Sequence, residues 1–193
     1  AILRGEARKV LGWSAELASE RVSLSATDGV HPELGYRTRV RMAWRVDPSG
    51  RVELGYRARR SDRLVDVPGC PVADPGIEAA LPEVRAALGA RARGEGEVLL
   101  VAGAEGVACI VTPARGAPWT LGPERVTIAA GELRLSVTPR AFLQANTAVT
   151  ADLAAAVGVA AREVLPEGGH AVELFAGVGT LTVPLLHAGL SVT

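Results

Sequence analysis

Between residues 35 and 67 polar and apolar positions alternate with a period of two. In RTRVRMAWRV, Arg37, Arg39 and Arg41 interleave with Thr38, Val40 and Met42, and Asp47-Pro48-Ser49-Gly50 forms a turn into RVELGYRARR. Period two sends successive side chains to opposite faces, so the stretch predicts a β-hairpin with the three arginines on one face. DRLVDV (62–67) predicts a third strand. The spacing then becomes helical: Ile77, Leu81, Val84 and Leu88 share one face of a helix over 76–93, with Pro75 just before it. EVLLVAG (97–103) and VACIVTP (107–113) read as two more short strands. Ahead of all this, residues 1–20 carry Ile2, Leu3, Val10, Leu11 and Leu17 at helical spacing, broken near Gly12 and Ser14.

A Gly- and Pro-bearing link at 121–130 separates this half from the next. GELRLSVTPRAFLQAN predicts a strand ending near Pro139, and 147–165 an Ala-rich helix capped by Asn146 or Thr147 and stopped by Pro166. HAVELF (170–175) reads as a buried strand, followed by a glycine turn, a helix from about Val178 to His187 and a new strand at Leu190. Strand, helix, strand around an apolar strand predicts a parallel α/β sheet. The expected organisation is an α+β module over 1–126 and the opening of a doubly wound α/β domain over 131–193. With no initiating Met, and with GLSVT breaking off inside an apparent strand, the chain reads as a piece of a longer protein.

At 193 residues and 48% apolar, the chain can bury a core and is no disordered tail. Its net charge of zero hides an asymmetry: residues 1–63 carry 13 basic and 8 acidic side chains, residues 64–193 the reverse. Nine arginines between 35 and 63 face only Asp47, Glu53 and Asp62. The hairpin therefore reads either as a solvated charged face or as a row of guanidinium groups spaced to meet successive phosphates. Arg37, Arg39, Arg41, Arg57 and Arg59 are the candidates, with Tyr36 and Tyr56 beside them to stack on unpaired bases. Two cysteines, Cys70 and Cys109, are too few for a disulfide scaffold. The N-terminus mixes Glu, Arg and Lys into its apolar residues and is no signal peptide. Leu174–Thr193 lacks charged side chains other than histidine, but its glycines and Pro184 argue against a membrane span. The chain reads as cytoplasmic, with no obligate protein partner.

In VELFAGVGTLT, Gly177 and Gly179 directly follow the 170–175 strand. Such a turn admits close backbone approach to a ligand, and the amides at the following helix start favour anionic or polar groups. By itself the turn fits an S-adenosylmethionine site, a nucleotide site, or a plain strand–helix connection. The third glycine of a dinucleotide fingerprint is replaced by Thr182.

Two linked motifs narrow this. Pro139-Arg140-x-Phe142-x-Gln144-x-Asn146, a helix, then Glu173-Leu174-Phe175-x-Gly177-x-Gly179 and Pro184-Leu185 resemble the RNA uracil-5-methyltransferase family. GYRTRVRMAW (35–44), GYRAR (55–59) and VDVPGCPV (65–72) are similar to that family's central domain. The resemblance implies a class I, Rossmann-like methyltransferase sheet and methyl transfer from S-adenosylmethionine to C5 of a uridine, in ribosomal more than transfer RNA. It implies cofactor contacts from Gln144, Phe175, Gly177, Gly179 and Thr180, the last a departure where many members carry Asn. Read as residues alone, Phe175 is equally a core side chain, and Gln144 equally a capping or bridging amide. The resemblance also makes Cys70 the fourth ligand of a 4Fe-4S cluster whose other cysteines would precede Ala1, while Cys109 reads as core. In the family a cysteine thiolate adds to C6 of the uracil and a carboxylate base removes the C5 proton. Both would lie beyond Thr193, so residues 1–193 alone are expected to be inactive. The alternative is a non-catalytic RNA-binding module that retains the fold.

Overall fold

The computed structural model describes residues 32–166 and 168–193. The helical spacing of residues 1–20 lies outside them. Six antiparallel strands form the main sheet: β1 (Arg39–Val46), β2 (Val52–Arg57), β3 (Leu64–Asp66), β4 (Gly94–Gly103), β5 (Gly106–Pro113) and β6 (Trp119–Leu121), in the order β3-β2-β1-β4-β5-β6. The predicted hairpin is there, with Ala43 opposite Gly55 and Val46 opposite Val52. Its turn closes through Asp47, whose carboxylate accepts from the Ser49 hydroxyl and the Arg51 amide.

Alternation decides what β1 buries. Val40, Met42, Trp44 and Val46 point inward and join Leu54, Val98, Leu100 and Val111. Helix α1 (Pro75–Arg91) lays Ile77, Leu81, Val84 and Leu88 over that face, all four at most 2% exposed. Asp74 caps it by accepting from the Gly76 amide at 2.7 Å. Arg85 on the same helix donates to the Leu54 carbonyl, the Val67 carbonyl and the Asp66 carboxylate, tying helix to edge strands.

The 121–130 segment differs from the expected link. Val126–Ala130 is strand β7, paired with β8 (Leu133–Val137) around Gly131, which has a φ of +59°. Gly122 and Pro123 mask a strand whose Val126, Ile128 and Ala130 alternate inward. Those side chains, with Leu133, Leu135 and Val137, form a second core against Val101 and Ala108 of the main sheet. Helix α2 (Thr147–Val164) adds Ala154 to that core and is capped by Asn146, whose side-chain oxygen accepts from the Ala148 and Val149 amides.

Beyond α2, strand β9 (Gly169–Ala171) pairs in parallel with β10 (Leu190–Val192), the two joined through a turn and helix α3 (Thr182–His187). The parallel α/β arrangement of this part is as expected. The strand is shorter and barer than expected: Val172 and Leu174 are 71% and 78% exposed. Among the described residues β9 pairs with β10 alone, and the Glu173 carboxylate that follows it accepts from the Thr182 hydroxyl. The following helix starts at Thr182, not Val178, because the chain first spends 175–181 in a turn. Among the described residues no helix is long and apolar enough to cross a membrane.

Candidate functional site

Three residues in five adopt left-handed backbone after β9: Phe175 (φ +62°), Gly177 (+59°) and Gly179 (+83°). Glycine takes this conformation freely. An L side chain such as Phe175 pays about 1–2 kcal/mol for it, which marks the turn as constrained for a purpose other than packing. Space is not what requires Gly177, since an added Cβ would lie 3.7 Å from the Phe175 carbonyl oxygen. Its dihedral is. Among the described residues the Phe175 side chain is wholly exposed and packs into neither core.

This turn and Gln144 both line a cavity of about 190 Å3. Phe142, Leu153, Glu173, Phe175, Gly177 and Thr180 line it as well. Of the five cofactor candidates the structure thus gathers Gln144, Phe175, Gly177 and Thr180. Gly179 sits just behind, its amide donating to the Ala176 carbonyl at 2.9 Å. Phe142 and Glu173 belong to the two motifs without a role assigned to them there, and Leu153 lies outside both. Thr182, at the position of the absent third glycine, donates its hydroxyl to the Glu173 carboxylate at 2.5 Å and holds it at the cavity edge.

Chemically the cavity offers an amide that both donates and accepts, a carboxylate, backbone groups of a strained turn, and two exposed aromatic faces. That set suits a ligand carrying an amino or hydroxyl group, a planar ring and apolar carbon. At about 190 Å3 it holds part of such a ligand, being below the roughly 300 Å3 usual for a complete site. A larger cleft of about 450 Å3 lies among the β7–β8 turn, α2 and α3, and another of about 320 Å3 near Thr38 and Thr127. Neither includes the left-handed turn or its aromatic residues, so size does not mark the chemistry here.

The arginine face is more compensated than composition implies. Arg39, Arg41 and Arg45 share the outer face of β1, but Arg41 lies 3.7 Å from Glu97, and Arg45 lies 3.6 Å from Glu95 and 3.9 Å from Glu53. Arg57 is 3.9 Å from Asp62 and donates to its carbonyl. Arg59 is exposed beyond the end of β2. Arg39 has no ion-pair partner among the described residues. Burial, and then the charge of Arg41, lower the pKa of its guanidinium. Arg37 lies over the Tyr36 ring, 5.8 Å from its centroid. Tyr56 is not free to stack on a base, because its ring packs against the first core and its hydroxyl donates to Cys70 Sγ at 3.1 Å.

That bond also bears on the cluster. The Cys70 thiol is buried and bonded to Tyr56, and its amide donates to Glu78 at 2.6 Å. Among the described residues no three His, Cys, Asp or Glu side chains gather to hold a metal ion. The resemblance puts the other three cluster cysteines ahead of Ala1, and a single thiol holds no cluster by itself. Cys109 is buried in β5, and burial, with a smaller push from the Glu83 charge, raises its thiol pKa to about 12.

The fold is shared with a solved RNA methyltransferase. The tRNA (uracil-54, C5)-methyltransferase of Pyrococcus abyssi, solved in complex with S-adenosyl-L-homocysteine, superposes with a TM-score of 0.64 at 16% identity, over 98% of this chain and 53% of that one. Sequence is more particular. The 23S rRNA (uracil(1939)-C(5))-methyltransferases RlmD of Halomonas elongata and Chromohalobacter salexigens are 32% and 31% identical to this chain, over 82% and 83% of it. That of Cronobacter sakazakii is 31% identical over 83%. By sequence, then, the chain is a relative of the RNA (uracil-C5)-methyltransferases, and it spans 41–44% of the length of these three. No family model matches the chain.

Proposed function

We propose that the chain is the RNA-contacting and cofactor-binding part of a cytoplasmic RNA methyltransferase. The enzyme transfers a methyl group from S-adenosylmethionine to C5 of a uridine, in ribosomal rather than transfer RNA. The observation that carries the reading is that the left-handed turn over 175–180 and Gln144 line one cavity. The curated relatives named for a 23S rRNA uracil support the reaction and the choice of ribosomal RNA.

S-adenosylmethionine would supply an electrophilic methyl group on its sulfonium. The residues at hand bind and orient: Glu173, held by Thr182, accepts from an amino or hydroxyl group, Gln144 donates and accepts, and Phe175 and Phe142 offer flat apolar surface. Residues 131–193 carry this site, residues 1–126 the RNA contacts, and the β7–β8 hairpin spans the joint. Arg37 and Arg39 are the arginines on the hairpin best placed to meet phosphate, since Arg41 is already paired. Neither cysteine is an apt nucleophile: Cys109 is buried with a raised pKa, and Cys70 is buried and bonded. Residues 1–193 alone are therefore inactive.

Calorimetry with S-adenosyl-L-homocysteine on the whole gene product tests this. Wild type should bind, and Gly177→Val should bind at least tenfold more weakly, because a β-branched residue resists a φ of +59°. RNA affinity should be unchanged, showing that the variant is folded. Equal cofactor affinity in both proteins would place the site elsewhere.

A further inference from the structure

Thr38 stands just before the arginine-bearing strand and reaches a residue 107 positions away. Its amide donates to the Ala145 carbonyl at 2.9 Å, and its hydroxyl donates to the same oxygen at 3.1 Å. Thr38 is itself held: the Ala102 amide donates to its carbonyl at 2.9 Å, and the preceding Arg37 is bonded through its backbone to Val72 and Asp74. Ala145 lies between two residues with tasks. Gln144 lines the cavity, and Asn146 caps α2, the helix that contributes Leu153 to the same cavity. One backbone bond fixes where the 144–146 segment meets the sheet. Two donors from one residue onto a single oxygen also fix the tilt of the Ala145–Asn146 peptide, one residue after Gln144.

We propose that Thr38 is a positioning residue for the cofactor cavity: its hydroxyl, bonded to the Ala145 carbonyl, orients Gln144. The proposal rests on reading that cavity as the S-adenosylmethionine site.

Thr38→Val keeps the shape and the backbone donor and removes only the hydroxyl. In the whole gene product the dissociation constant for S-adenosyl-L-homocysteine should rise about fivefold, the worth of one net hydrogen bond. Thr38→Ser should restore it, and RNA affinity measured without cofactor should not move. In a Gln144→Ala background Thr38→Val should add nothing further, because the two act through one side chain. The proposal fails if Thr38→Val binds cofactor like wild type while Gly177→Val does not. It fails equally if the Thr38 and Gln144 effects simply add, or if cofactor and RNA affinity fall together. If neither Thr38→Val nor Gly177→Val changes cofactor binding, the cavity is not the site, and the reading beneath the proposal falls with it.

Discussion

Replacing single arginines on the outer face of β1 should give unequal effects, and the inequality follows from their ion pairs. Each single-strand phosphate neutralised by a protein cation contributes about 0.7 to the slope of log affinity against log salt. Arg39 has no carboxylate partner among the described residues, whereas Arg41 shares its charge with Glu97 at 3.7 Å, both side chains about half exposed. Arg39→Gln should therefore flatten the slope by about 0.7, the full worth of one contact. Arg41→Gln should flatten it by less, since Glu97 competes with phosphate for that guanidinium. Glu97→Gln should tighten RNA binding at low salt, because it frees Arg41 and removes a charge that repels phosphate. Fluorescence anisotropy of a labelled single-stranded RNA, between about 50 and 200 mM salt, measures all three. A larger effect at Arg41 than at Arg39, or no gain from Glu97→Gln, would refute the claim that internal pairing decides which arginines meet RNA.

Two further expectations concern the scaffold. At Gly55 an added Cβ would overlap the Val65 carbonyl oxygen of the neighbouring strand, so Gly55→Ala should cost about 2 kcal/mol. That lowers the thermal midpoint by roughly 4–8 °C, and an unchanged midpoint in calorimetry would show that β2 and β3 can part at no cost. Burial pushes the Asp66 carboxyl up, but the Leu54 amide and Arg85 outweigh it and hold its pKa below the usual carboxylate range. A depressed folded-state pKa stabilises above the unfolded value of about 3.9 and is lost as pH falls through the folded value. Denaturant titrations at pH 7 and pH 3 should show a smaller acid-side loss in Asp66→Asn than in wild type.

What the sequence revealed and what it hid divide along a physical line. Local periodicity was enough for the β1–β2 hairpin and for α1, because each reports its own buried face: Val40, Met42 and Trp44, or Ile77, Leu81 and Leu88. Strand β7 was hidden because Gly122 and Pro123 read as a break, although beyond them the chain pairs again, with β8 in a sheet of two strands. Val172 and Leu174 stand exposed beside the single partner strand β10, in a chain that spans 41–44% of its relatives' length. The charge of the arginine face was overstated since its acids arrive from β4, some fifty residues along the chain. Tyr56 looked available until the loop holding Cys70 folded back onto it. At the candidate site the motif located Gln144 and the glycine turn, but not the Thr182–Glu173 bond or the clamp from Thr38, which exist only once distant segments meet.

We propose that this chain belongs to an enzyme that methylates C5 of a uridine in ribosomal RNA through the cavity at 175–180. Mass spectrometry of ribosomal RNA from cells with the gene deleted tests it most directly. One 5-methyluridine should disappear from the large-subunit RNA, return with the wild-type gene, and stay absent with a Gly177→Val copy expressed at the same level. An unchanged set of 5-methyluridines after deletion, or full restoration by the Gly177→Val copy, would contradict it.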